Sequence, residues 1–158
     1  QALQALGTSY SANAYPFSQR YQNCNQWVAE MLAAAWSGQP GIDGTGNSEG
    51  LRAQAQRWLL EQQYQPSVFD VGSRPLMWLS RLIPWLHADD HPGADLEQLI
   101  YRVSMPASIE AFVQAQVPGV TRVELCHTDK HVVIRRGWEP IAEGCVPGER
   151  DTVITLEP

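Results

Sequence analysis

RYQNCNQWVAEML, residues 20–32, places one cysteine between two asparagines, directly ahead of a stretch with helical spacing. Trp27, Val28, Met31, Leu32, Ala35 and Trp36 recur at helical intervals until Gly38 and Pro40 stop them, and Asn23 is a residue type that caps helix starts. The spacing predicts a helix over 24–36 with Cys24 in its first turn. Because Cys24 stands three and four residues before Trp27 and Val28, it is expected on the buried side of that helix. A thiol is a useful nucleophile only as thiolate, and the free N–H groups and dipole of a helix N-terminus favour that anion. The same N–H groups can hold an oxyanion during acyl transfer, so one segment could supply nucleophile and oxyanion donors together. A cysteine on an apolar helix face is equally an ordinary small core residue, and the pattern leaves both readings open.

Outward from this helix, Gly41 to Ser48 reads as a loop, and Ser48 as the cap of a second amphipathic helix that buries Leu51, Ala55, Trp58 and Leu59. The loop glycines have no Lys-Ser/Thr behind them and no clear strand ahead, so they form no phosphate cradle. Val68, Phe69 and Val71 suggest a short strand before Gly72. PLMWLSRLIPWL, residues 75–86, is helical in period, with Pro84 expected to break or kink it. Its Trp78 and Trp85 among leucines could lie on a membrane surface or lid an apolar site. A basic polar face is missing, however, so the segment is read as core packing.

HADDHPGAD, residues 87–95, reads as a turn, Leu99 to Val103 as a strand, and Pro106 as the start of a helix carrying Ile109, Phe112 and Val113 on one face. VTRVELCH and HVVIRR, residues 120–127 and 131–136, form a hairpin about Thr128-Asp129-Lys130, and Thr152 to Leu156 is a last strand. Helices first and strands later is the order of an α+β domain, with no repeat or linker dividing residues 1–158.

The chain has 158 residues, 44% hydrophobic and 18% charged, enough for a real core. A net charge of −6, with Arg135-Arg136 the one adjacent pair of cations, argues against nucleic acid. The sequence holds no apolar run of the roughly 20 residues that a membrane helix takes. It opens on Gln1, and the expectation is the C-terminal part of a longer precursor whose signal peptide has been removed. Of three cysteines, Cys126 and Cys145 share the C-terminal stretch and Cys24 is left over. That partition suits a disulfide in a periplasmic or secreted protein, while three reduced buried thiols fit the cysteine usage as well.

A base for Cys24 would come from His87, His91, His127 or His131. His131 is the best placed, beginning the run His-Val-Val-Ile at the mouth of a strand whose remainder is expected in the core; His127, across the turn, is second. Asp89, Asp90 and His91 with His127 and His131 offer oxygen and imidazole ligands, but their spacing fits no strong metal motif, and no metal or cofactor is expected.

AYPFSQRYQNCNQWVAEML (14–32), LLEQQYQPSVFDVG (59–72) and DDHP (89–92) together resemble an uncharacterised bacterial family, domain of unknown function 2145, over most of residues 13–104. That family is in turn similar to the papain-like NlpC-type peptidases and the lecithin:retinol acyltransferase-like proteins, in which an Asn-Cys pair, here Asn23-Cys24, begins the nucleophile helix. The resemblance implies a papain-like α+β fold, in ordinary or permuted order, with helix 24–36 packed on an antiparallel sheet. It further implies a cell-envelope cysteine hydrolase or acyltransferase cleaving an amide or ester of a small-molecule, peptide or lipid substrate, with Cys24 and His131 catalytic. In the permuted branch the base precedes the cysteine, and His131 is then structural. The alternative is a non-catalytic envelope scaffold or binding protein that keeps the papain-like shape.

Overall fold

The computed structural model describes residues 5–37 and 48–156, leaving the side chains of residues 48 and 49 outside the description. The expected loop over 41–47 and the capping side chain of Ser48 therefore lie outside the described residues. The chain divides into two compact units, Gln1–Ala115 and Gln116–Pro158.

The first unit is built on α1 (Cys24–Trp36) and α2 (Ser48–Glu61). Ala29 and Ala33 of α1 and Ala55 and Leu59 of α2 are buried together with Tyr64 and Phe112. The alanines let the helix backbones approach closely, and the aromatic rings fill the remaining volume edge to face: Tyr64 and Phe112 lie 5.3 Å apart, Trp58 and Phe112 6.0 Å. Phe112 comes from α5 (Pro106–Gln116). Between them, β1 (Ser67–Asp70) pairs antiparallel with β2 (Ile100–Val103) in a register that sets Phe69 opposite Tyr101. A second core of Met77, Tyr101 and Val103 lies under α3 (Arg74–Ser80).

The buried stripe of α1 differs from the apolar stripe in its sequence. Gln26, Ala29, Glu30 and Ala33 face inward, whereas Cys24, Val28 and Trp36 are exposed. The reason is a buried polar network around Glu30 that turns the helix by about one residue position. The inward placement expected for Cys24 is thus corrected.

The core reading of residues 75–86 is overturned in the same way. α3 ends at Ser80, before Pro84, and the chain then continues in i→i+3 turns, with Arg81 N–H donating to Trp78 O and Leu82 N–H to Leu79 O. At that tighter period Met77, Ser80, Ile83 and Leu86 turn inward, and Leu76, Trp78, Leu79, Leu82 and Trp85 are exposed. The 87–95 turn is real at His91 N–H to Ala88 O, but its end winds into a short helix, α4 (Gly93–Glu97), that the reading as turn missed.

The second unit is a three-stranded antiparallel sheet in the order β3 (Val123–His127), β4 (His131–Arg136), β5 (Thr152–Thr155). The hairpin closes as expected from its turn residues: Thr128 Oγ1 accepts from the N–H groups of Lys130 and His131. Cys126 and Cys145 lie at disulfide distance, S–S 1.89 Å with Cα atoms 5.5 Å apart, and their pairing joins β3 to the turn that ends at Cys145. Val133, Ile141 and Cys145 form the small core beneath. The mixed α+β class expected from the sequence is what the two units show.

Candidate functional site around Cys24

Asn23 has extended backbone angles, φ −105° and ψ 172°, and its side chain caps α1. Asn23 Oδ1 accepts the Gln26 N–H at 2.7 Å, and its amide nitrogen donates to Ala12 O at 3.2 Å. With both ends of the amide engaged, the cap is held in one orientation, and the next residue, Cys24, starts the helix with its thiol exposed. The N–H groups of Cys24 and Asn25 have no intrahelical acceptor, as for any first turn. Those donors and the thiol stand at the same helix end.

The other polar residues of the motif point inward. Gln22 accepts the Gly7 N–H at 2.7 Å and donates to Ala5 O and to Glu30. Gln26, 1% exposed, donates to the carbonyls of Pro16 and Ser18 and to Glu30. The Glu30 carboxylate, fully buried, also receives Arg52 Nε at 3.0 Å and Gln56 Nε2 at 2.7 Å. Arg52 directs its remaining donors to the carbonyls of Ser18, Gln19 and Tyr21. The segment leading into α1 is therefore bolted to both helices, and a buried charge is compensated by an opposite charge and several hydrogen bonds. This collar is not among the expectations from the sequence. Its signal was a polar row spaced by four, Gln22, Gln26 and Glu30, running beside Ala29 and Ala33.

The same lead-in segment ties α1 to the turn before α4. Ala12 N–H donates to Trp85 O at 2.9 Å, and the His87 N–H reaches Ser11 Oγ and Asn13 Oδ1. The His87 ring stacks on Tyr21, centroids 4.4 Å apart and planes 6° from parallel. His91 is buried between Tyr15 and Tyr101, and its Nε2 lies 2.7 Å from Asn13 O, a pairing that makes Nε2 the protonated nitrogen.

Asp90, whose side chain is shut away from solvent, accepts the Tyr15 N–H at 2.9 Å and has its other oxygen 3.8 Å from His91 Nε2. Burial raises the Asp90 pKa above the ordinary carboxylate range, opposed by the Tyr15 hydrogen bond and the charge of His91. Asp89 instead faces out, paired with Arg20 at 2.7 Å. Among the described residues no group of three or more His, Cys, Asp or Glu side chains is arranged to hold a metal ion.

His131 heads β4 in the second unit. Its Nδ1 lies 3.3 Å from Thr128 Oγ1 and its Nε2 3.3 Å from Cys145 O, beside the cysteine pair. His127, at the end of β3, is exposed.

Over residues 1–113 the chain matches a family described as an uncharacterized protein conserved in bacteria (DUF2145), and it belongs to that family. No curated protein and no solved structure matches it.

Proposed function

We propose, on the premise of membership in that bacterial family, that the chain is a cell-envelope cysteine hydrolase or acyltransferase of papain-like design. The observation that carries the reading is the α1 start, where an exposed, unpaired thiol stands at the first residue of a helix whose cap and lead-in are fixed by hydrogen bonds. The Cys24 thiolate attacks an amide or ester carbonyl, and the oxyanion that forms is held by the N–H groups of the first turn. Collapse expels the amine or alcohol, which takes up the proton that the base removed from the thiol. The acyl thioester on Cys24 then passes to water in a hydrolase, or to an acceptor alcohol or amine in an acyltransferase.

In the ordinary papain-like order His131 is the base, and Thr128 Oγ1 beside Nδ1 is the group that would orient its ring. In the permuted order the base precedes the cysteine, so none of the four histidines of this sequence, all of which follow Cys24, serves, and His131 keeps its local contacts alone. An envelope setting is supported by the Cys126–Cys145 pair, since disulfides persist in oxidising compartments.

The alternative, a non-catalytic scaffold, is favoured by one observation. Gln22, Asn23 and Gln26, the polar residues that define the motif, are all engaged in internal hydrogen bonds. Exposure of the chain to 4-nitrophenyl acetate separates the two. An enzyme releases nitrophenol through an acetyl-Cys24 species seen by intact mass, and Cys24→Ala abolishes it. Release at the rate of the unfolded chain supports the scaffold.

A further inference from the structure

Residues 74–85 present an outward apolar surface of unusual composition. Leu76, Trp78, Leu79, Leu82 and Trp85 are between 49% and 65% exposed. The winding explains why they share a surface. Beyond Ser80 the backbone bonds run i→i+3, with Leu82 N–H to Leu79 O, Ile83 N–H to Ser80 O and Leu86 N–H to Ile83 O. At three residues per turn Leu76, Leu79, Leu82 and Trp85 form one row, and Trp78 and Arg81 stand in the row beside it. The inward row is consumed by the core: Met77 is buried, and Ser80 Oγ bonds Met77 O and the Tyr101 hydroxyl. The outward rows cannot turn in without breaking those contacts.

The charge of the segment identifies what the surface fits. In a chain of net charge −6, residues 71–88 carry Arg74 and Arg81 and no carboxylate. Both arginines are exposed, and among the described residues of the first unit neither guanidinium has an ion-pair or hydrogen-bond partner. They flank Trp78 on an open groove of about 310 Å³ whose far side is Leu96, Glu97 and Leu99. Exposed leucines, tryptophans whose indole N–H needs a polar partner, and unpaired arginines with long apolar stems are the set that settles at a bilayer interface. The rings sit at headgroup level and the cations against phosphate. We propose that residues 74–85 are a docking surface for a membrane rich in anionic phospholipid, with Leu79, Leu82 and Trp85 entering the acyl boundary and Arg74 and Arg81 contacting lipid phosphates.

The proposal is independent of Cys24 chemistry. It is tested by co-sedimentation of the whole chain with phosphatidylcholine vesicles and with vesicles containing phosphatidylglycerol, at low and high salt. Binding is expected with phosphatidylglycerol and should weaken with salt, with roughly fivefold lower partitioning for each of Arg74→Gln and Arg81→Gln. Leu82→Ser with Trp85→Ser should abolish it; these side chains are exposed, so circular dichroism should show the fold unchanged. Equal binding to both vesicle types, or none to either, would overturn the proposal. So would a concentration-dependent dimer, seen by sedimentation velocity and lost in the Leu82→Ser, Trp85→Ser variant, which would assign the surface to a second copy of the chain.

Discussion

Arg52 Nε lies 3.0 Å from Glu30 Oε2, and the two side chains are 4% and 0% exposed. This pair is the pivot of the first unit, because the Glu30 carboxylate also collects Gln22, Gln26 and Gln56 while Arg52 gathers three carbonyls of the lead-in segment. Removing one partner strands a buried charge. Arg52→Met is therefore expected to cost the first unit about 3–5 kcal/mol, read from urea denaturation. The double variant Glu30→Leu, Arg52→Met should recover part of that loss, since it leaves no orphaned carboxylate. Equal losses in the single and double variants would show that the pair contributes little beyond packing.

Asp90 supplies a pH test. Its folded pKa is raised chiefly by burial, so its contribution to stability is fully present below the ordinary carboxylate value and is lost as pH rises through the raised one. The groups around it are His91, whose charge opposes the rise, and Asp89, whose charge adds to it. Asp90→Asn keeps an acceptor for the Tyr15 N–H and removes the titration. The variant should be more stable than the parent near neutral pH, with the difference closing as pH falls below the ordinary range. A less stable variant at neutral pH would mean that attraction to His91 outweighs the cost of burial.

The second unit behaves oppositely in acid. Asp151 accepts Arg135 Nη2 at 2.6 Å and the Gly148 N–H at 2.7 Å, which lowers its pKa to about 2. That stabilisation is present above the ordinary value of 3.8 and fades as pH falls toward about 2. Gly148→Ala should mimic the loss at neutral pH, because a Cβ there would stand 2.8 Å from Arg135 Nη2 and push it from the carboxylate. Thermal melts of Gly148→Ala and the parent between neutral and acid pH check this: the gap should shrink on acidification.

Cys126 and Cys145 are 19 residues apart in sequence. A loop of that length predicts a stabilisation of about 3 kcal/mol from the cross-link, lost on reduction. Mass spectrometry of the unreduced, alkylated chain should show one labelled cysteine, Cys24; three labels would exclude the disulfide.

The parts of the fold that were legible in the sequence carry local signals strong enough to act alone. Helix 24–36 begins and ends where Asn23 and the Gly38 and Pro40 breakers predict, and the hairpin at Thr128 closes through its own hydroxyl. Which face an element buries was less legible, because that depends on its partner. On α1 the row Gln26, Ala29, Glu30 and Ala33 won over Trp27 and Val28 once Arg52 could neutralise Glu30 and Gln56 could hydrogen-bond it. In residues 75–86 the drop to i→i+3 winding moved the leucines outward, a change that a helical period read at 3.6 residues does not register.

At the candidate site the residue types were legible and the exposure was not. Cys24 was identified from its neighbours and the helix start, yet its thiol is exposed rather than inward-facing. Asp90 and His91 were visible as a turn, but their contacts with Tyr15 and Asn13 were not, because those partners lie 75 and 78 residues away with no periodicity to join them.

Activation of Cys24 by the start of α1 is read from the second-order rate constant for iodoacetamide alkylation at neutral pH. It is measured on the folded chain and on the same chain unfolded in urea, with Cys126 and Cys145 left oxidised. Alkylation of the folded chain should be faster, by tenfold or more if the helix N-terminus and a base act together, since roughly 1.4 kcal/mol corresponds to tenfold in rate. A folded rate equal to or below the unfolded one would contradict it and leave Cys24 an ordinary surface thiol.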